Sequence, residues 1–262
     1  MKKTFFKIIV PNYNNEIWLP KCIDSVFRQS FGDFELIVVD DCSTDNSREY
    51  LDKIKGNATI IYLSEKRYNG GTRNVGLDYD IDSDYTLFID SDDWLDNPDV
   101  LQNLHAFIVM NNYPDCIRLP FKYVYDGTKM GFAMLNDATL EKLVKSDFVA
   151  CWTKCVKSDL VQTFPENTLM EDVVQHIKQC DVIRNVVPFN EIVIVHNKNN
   201  KNSVTTGDNT KAKKWISSMY RYTADLMDLE LSTEYCKFEQ KRRVDGCIRC
   251  IKADVYTQSR VK

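Results

Sequence analysis

Four short apolar runs, separated by helical and turn signals, fill the first 90 residues of this 262-residue chain, and that alternation restricts the fold more than any other feature. Residues 5–10 read as a β-strand, and Pro11-Asn12-Tyr13-Asn14-Asn15 as a turn after it. Leu19, Cys22, Ile23, Val26 and Phe27 recur at the spacing of one apolar helix face, which predicts an amphipathic helix over residues 16–30. Phe34–Val39 is a nearly unbroken apolar run, as expected of a parallel strand covered on both faces. Capping chemistry at Cys42–Ser47 then predicts a helix near 46–55, Thr59–Leu63 a third strand, Gly70–Asn74 the opening of a helix near 71–79, and residues 85–89 a fourth strand. The order β-α-β-α-β-α-β specifies an α/β fold with a doubly wound, mostly parallel sheet and right-handed crossovers.

Beyond residue 100 the periodicity weakens. A helix near 98–111, strands at 116–125 and 191–196, and helices at 139–147 and 171–180 are expected, with Asn197–Asp208 as a polar loop and everything from 211 helical. The division this suggests is a main domain over residues 1–210, with halves 1–100 and 101–210, and a helical C-terminal appendix over 211–262. The appendix carries 12 Lys/Arg against 7 Asp/Glu, while residues 1–210 carry 22 against 31; +5 and −9 together give the chain's −4. Lys211, Lys213, Lys214, Trp215, Ile216, Met219, Tyr220, Arg221 and Tyr222, with Lys241-Arg242-Arg243, would suit a helix lying on anionic lipid, and a solvated basic face explains them equally well. No apolar run approaches the roughly 20 residues that span a bilayer, and Met1–Thr4 leads straight into a strand without a cleavable apolar region. A cytoplasmic protein, peripheral to the inner membrane face through its tail, is the expectation. The nine cysteines lack framework spacing, as reduced thiols would, and the lone Cys247-x-x-Cys250 lacks the second pair a structural zinc needs.

The strand ends collect the unusual residues. Asp90-Ser91-Asp92-Asp93 follows the fourth strand, where open α/β sheets place their ligands. Asp90 and Asp92 are two apart and could share one hard divalent cation, Mg2+ or Mn2+, together with substrate phosphates. A nucleoside diphosphate also asks for an acceptor for its base, which Asp41 could supply with Pro11–Tyr13 as a wall, and for positive groups at its phosphates, which Arg73 at a helix N-terminus could supply. Each feature has a plain structural explanation as well: a solvated acidic turn, a strand-ending Asp40-Asp41 pair, a tight Gly70-Gly71 turn. Likewise Glu171-Asp172 reads on spacing alone as an acidic first helical turn.

Taken in order, Ile9–Asn14, Val38–Ser47, Asn69–Gly76, Phe88–Asp93, Trp152–Cys155, Met170-Glu171-Asp172, and His196 through Ser203–Thr205 resemble the motifs of the family 2 glycosyltransferases, over roughly residues 5–205. Cys42 stands where that pattern usually has Gly, and His196 where an aromatic is often found. The resemblance implies the A-type nucleotide-diphospho-sugar transferase fold. It further implies a metal-dependent, inverting, hexosyltransferase-like enzyme that moves a sugar from a nucleotide-sugar donor, UDP-linked, to a glycan or lipid-linked glycan acceptor, with no nucleic-acid partner. On that basis Asp172 is the base, Glu171 orients acceptor or base, and Pro11, Asn12, Tyr13, Asp40, Asp41, Arg73, Asp90, Ser91 and Asp92 hold the donor. Asp90, Asp92 and His196 are the metal candidates, with a satisfied structural histidine as the equal reading of His196.

Other classes fit less well. A receiver-type domain would leave Arg73 and residues 150–205 idle, and a sugar-nucleotide pyrophosphorylase would carry its Gly-rich loop where Pro11–Asn14 stands. A calcium loop fails because Trp94 and Leu95 occupy the positions of an oxygen ligand and the turn glycine. A non-catalytic module that binds a nucleotide-sugar is the remaining alternative.

Overall fold

The computed structural model describes residues 3–125, 129–134, 139–146, 149–166, 168, 170–200 and 220–260, with the backbone alone at 129 and 250–260. The first half alternates as its sequence implies: β1 (Thr4–Asn12), α1 (Leu19–Phe27), β2 (Phe34–Asp40), α2 (Ser47–Ile54), β3 (Thr59–Tyr62), α3 (Tyr68–Asp78) and β4 (Ser83–Phe88). Then follow β5 (Trp94–Leu95), α4 (Val100–Met110), β6 (Cys116–Arg118), β7 (Phe121–Tyr125), β8 (Lys129–Ala133), α5 (Leu140–Val144), β9 (Lys154–Lys157), α6 (Glu171–Val182), β10 (Val186–Pro188) and β11 (Ile194–Asn197). Two helices close the chain, α7 over 220–227 and α8 (Glu234–Arg260).

Seven strands form the main sheet in the order β10-β6-β9-β4-β1-β2-β3. β1 is buried along its whole length and pairs in parallel with both β2 and β4, so its carboxyl end is flanked by theirs. β9 runs antiparallel between β4 and β6, which makes the sheet mostly, not wholly, parallel. A second sheet, β5-β11-β7-β8, stands beside it. The helix face read from the sequence is the one buried: Leu19, Cys22, Ile23 and Val26 of α1 enter the core. α1 starts three residues later than the periodicity suggested, with Pro20 in its first turn, where a missing N–H costs nothing.

The single strand expected over 116–125 is two strands in two sheets. Pro120 lies at the crossing and has no N–H to donate to a continuous ladder. Leu119 N still reaches Thr153 O at 2.9 Å in the main sheet, and two residues later Phe121 pairs with Ile194 in the second. β5, β8, β9 and β10 had no sequence signal that separated them from loops. The tail is not one continuous helix either. Residues 228–233 interrupt it, and there Asp181 at the end of α6 accepts the N–H groups of Ser232 and Thr233 at 2.7 Å each. α7 and α8 share an apolar core with α5 and α6, made of Leu143, Val144, Val174, Ile177, Cys180, Tyr222, Leu226 and Cys236.

That packing engages three of the residues named for the tail's lipid-facing side. Tyr222 is buried, and Arg242 and Arg243 both close on the buried carboxylate of Glu239 at 2.6 Å. Lys211, Lys213, Lys214, Trp215, Ile216 and Met219 lie outside the described residues. No described helix is long and apolar enough to cross a membrane.

Candidate functional site

The loop after β4 is a tight turn, closed by Asp93 N on Asp90 O at 2.9 Å, that presents three carboxylates at the sheet's edge. Each finds a different neighbour. Asp90 Oδ1 accepts from Arg73 Nη2 at 2.7 Å, and Asp92 Oδ2 accepts from Asn200 Nδ2 at 2.8 Å. Asp93 is fully buried and takes His196 Nδ1 at 3.0 Å and Asn197 N at 2.8 Å. Ser91 Oγ accepts from Asn15 Nδ2 at 3.0 Å, which ties this loop to the one after β1. Burial, then the charge of Asp90, pushes the Asp92 carboxyl above its ordinary range. Burial also pushes Asp93 up, to about 7, against the lowering effect of His196; burial lowers His196, and the Asp93 bond and charge outweigh it and raise it. The imidazole of His196 is stacked on Trp152, with ring centroids 5.0 Å apart.

Arg73 joins this loop to the start of α6. Its guanidinium is buried, and Nη1 donates to Glu171 Oε1 at 2.9 Å while Nη2 holds Asp90. Asp172 Oδ1 lies 3.7 Å from Nη1 and has no hydrogen-bond partner among the described residues, nor has Arg73 Nε. Burial first, then the neighbouring Asp172, raises the Glu171 carboxyl to about 7, and Arg73 offsets part of that rise. The sequence put Arg73 at a helix N-terminus with its charge open to phosphates. α3 in fact begins at Tyr68, so Arg73 is in its second turn, with both terminal nitrogens on carboxylates. The glycines on either side of it serve close packing: a Cβ at Gly70 would strike the carbonyl oxygen of Pro165, and one at Gly76 the side chain of Ile9.

The residues expected to hold a base divide into two groups. Pro11 and Tyr13 line the cleft, and Lys66 Nζ sits over the Tyr13 ring. Asn12, Asp40 and Asp41 are buried beneath them and do not line it. Asp40 accepts from Asn12 Nδ2 at 2.9 Å, Ser43 N at 3.1 Å and Arg48 Nε at 2.7 Å. Asp41 accepts the backbone N–H of Arg67 at 2.6 Å and of Tyr68 at 2.9 Å, so its carboxylate shapes the loop that opens α3. Cys42, the position where glycine was expected, has φ +61°, a left-handed conformation that a Cβ disfavours.

These elements enclose one cleft of about 330 Å³. Asp90, Ser91 and Asp92 line it together with Trp152, Glu171, Asp172 and His196, and Arg73 bridges Asp90 and Glu171. Sequence reasoning missed Asn15, Asn69, Lys198 and Asn200, which also line it. Lys198 and Asn200 follow β11 in a run that composition marked only as polar loop. Asp90, Asp92 and Asp93 each offer a carboxylate oxygen within 4.8 Å of the others. With Asp93 bonded to His196 and Asn197, and one oxygen each of Asp90 and Asp92 engaged, one carboxylate oxygen of each remains. Two hard oxygens, completed by phosphate and water, fit Mg2+ or Mn2+.

The model of glycosyl transferase family 2 matches residues 7–147, more than half of the chain. The chain belongs to that family. Over 108 residues it is 35% identical to the poly(ribitol-phosphate) beta-N-acetylglucosaminyltransferase TarS of Staphylococcus aureus, covering 39% of this chain and 18% of TarS. Over 140 residues it is 33% identical to the glycosyltransferase GlyA of Streptococcus pneumoniae, covering 52% of this chain and 20% of GlyA. The chain thus spans about a fifth of the length of these relatives. In three dimensions it superposes on TarS 1-349 in complex with UDP-GlcNAc with a TM-score of 0.73 at 22% identity, over 93% of this chain and 71% of that one. The expected α/β transferase fold is therefore the observed one. The family match ends before Glu171, Asp172 and His196, so their roles rest on geometry alone.

Proposed function

We propose that this chain is a metal-dependent, inverting glycosyltransferase that moves a sugar from a UDP-linked donor to a hydroxyl of a cell-surface glycan. The observation that carries the reading is the meeting of two acid groups, Asp90–Asp92 after β4 and Glu171–Asp172 at the head of α6, in one cleft, with Arg73 bonded to both. Single displacement needs both functions in one cavity: a cation site to receive the leaving diphosphate and a carboxylate to take the acceptor's proton.

Pro11 and Tyr13 wall the base, and Asp41 acts beneath them by fixing the loop that carries Lys66. Asp90 and Asp92 would hold a divalent ion, which would supply positive charge against the diphosphate. Asp172 is the general base; its Oδ1 has no competing hydrogen bond among the described residues. As the acceptor oxygen bonds to the anomeric carbon, its proton passes to Asp172 and the sugar–diphosphate bond breaks with its electron pair on the diphosphate. Arg73 holds Asp90 and Glu171 at fixed separation, and the exposed Lys198 is a further cation in the cleft lining. The names of the relatives support a cell-wall polymer as acceptor, since one of them acts on poly(ribitol phosphate). The basic residues from 211 are proposed to bring the enzyme to a lipid-linked acceptor at the membrane surface, and flotation with anionic but not neutral liposomes tests that.

The test of the transfer reading is release of UDP from UDP-GlcNAc, in Mn2+, by the wild type and Asp172→Asn, with a pyranose-built cell-wall glycan and, separately, poly(ribitol phosphate) as acceptor. Loss of turnover with UDP still bound supports it. Equal turnover overturns it, and UDP binding without turnover in the wild type favours the non-catalytic module.

A further inference from the structure

The second sheet carries an aromatic row that leads out of the cleft. Trp152 stacks on His196 at its inner end and meets Phe121 edge-on at 4.8 Å between centroids. From Phe121 the row continues along one face of β7, to Tyr123 at 6.0 Å and from there to Tyr125 at 6.3 Å. Residues i, i+2 and i+4 of a strand share a face, and His196 is the register partner of Tyr123 on the neighbouring strand β11, so the row and the cleft wall are one surface. Across the row on β8, Gly131 is the register partner of Tyr123; a Cβ there would strike the Tyr123 ring, so glycine is what lets that ring lie flat over the strand. Exposure grows outward: Phe121 is buried, Tyr123 half-buried and Tyr125 37% exposed. Neither tyrosine hydroxyl makes a hydrogen bond among the described residues. An outward row of flat rings, each with an apolar face and an unengaged hydroxyl, matches a chain whose units have an apolar ring face and a polar rim.

We propose that Tyr123 and Tyr125 form an extended acceptor subsite that holds successive pyranose units of a glycan whose reacting end lies between Trp152 and Asp172. This rests on the transfer reading above. Its continuity with the cleft wall through His196 and Trp152 is what distinguishes the row from a general docking face, and it implies that the enzyme prefers polymeric over monomeric acceptors.

The test is calorimetric titration of the full chain with N-acetylglucosamine, with its β-linked hexasaccharide and, separately, with UDP in Mn2+. The wild type should bind the hexasaccharide at least about tenfold more tightly than the monosaccharide, or ~1.4 kcal/mol. Tyr125→Ala should remove that preference without moving the melting temperature or UDP affinity. Gly131→Ala, which keeps both tyrosines but displaces the Tyr123 ring, should weaken the hexasaccharide in the same direction. A wild type that binds UDP but shows no length preference overturns the subsite, as does a Tyr125→Ala variant with unchanged hexasaccharide affinity. A wild type that prefers the hexasaccharide yet fails to bind UDP upholds the row and overturns the donor reading instead.

Discussion

Along β1 and β4 the cleft is bordered by strand ends that lie side by side because the strands are parallel neighbours, whereas a second wall is assembled from Trp152, Glu171, Asp172 and His196 on separate later segments. The first wall is held by backbone pairing and by a core in which β1 is wholly buried. The second is held by a few polar bonds between distant residues: Arg73 to Glu171, and Asp93 to His196 and Asn197. One wall is therefore fixed by topology and the other by charge, and substitutions on the two sides should fail in different ways.

The largest effect should come from the second wall without loss of fold. Asp172→Asn keeps the volume of a 25% exposed side chain and removes the proposed proton acceptor, so kcat should fall about 10²–10⁴-fold while UDP affinity stays within a factor of two to three. Rapid-quench kinetics with matched calorimetry would check this. Next is the link between the walls. Arg73→Met leaves Asp90 and Glu171 without their shared cation in a buried setting, which should cost about 3–5 kcal/mol by urea denaturation. If that variant melts like the wild type, the walls are not held by charge. On the first wall, Gly76→Ala forces a methyl against Ile9 and should destabilise by about 1–3 kcal/mol, with turnover per folded molecule unchanged. The smallest effect runs the other way: Cys42→Gly relieves a left-handed backbone and should stabilise by about 1 kcal/mol, less the weak Sγ contact to Leu63 O.

The same contrast explains what the sequence disclosed. The β-α alternation placed β1 to β4 because apolar runs and helix periodicity are local signals, and strand ends in a parallel sheet gather at one edge whatever else the chain does. Asp90, Ser91, Asp92, Pro11 and Tyr13 follow from that alone. Arg73 was found but its surroundings were not, since its carboxylate partner Glu171 is 98 residues away and no local pattern pairs them. Asn12, Asp40 and Asp41 looked like ligand groups because buried polar networks and binding sites use the same residue types. The break at Pro120 was readable from proline chemistry, yet the apolar run across it hid the change of sheet. Lys198 and Asn200 had no periodic signal because they sit in a loop placed only by β11.

The central claim is that the Asp90–Asp92 corner binds a nucleoside diphosphate through a divalent ion, and calorimetric titration of UDP into the wild type and Asp92→Ala, each in Mn2+ and in EDTA, tests it most directly. The account predicts binding by the wild type in Mn2+ that weakens at least about tenfold, or ~1.4 kcal/mol, on chelation or on loss of the carboxylate. Equal UDP affinity under all four conditions would contradict it.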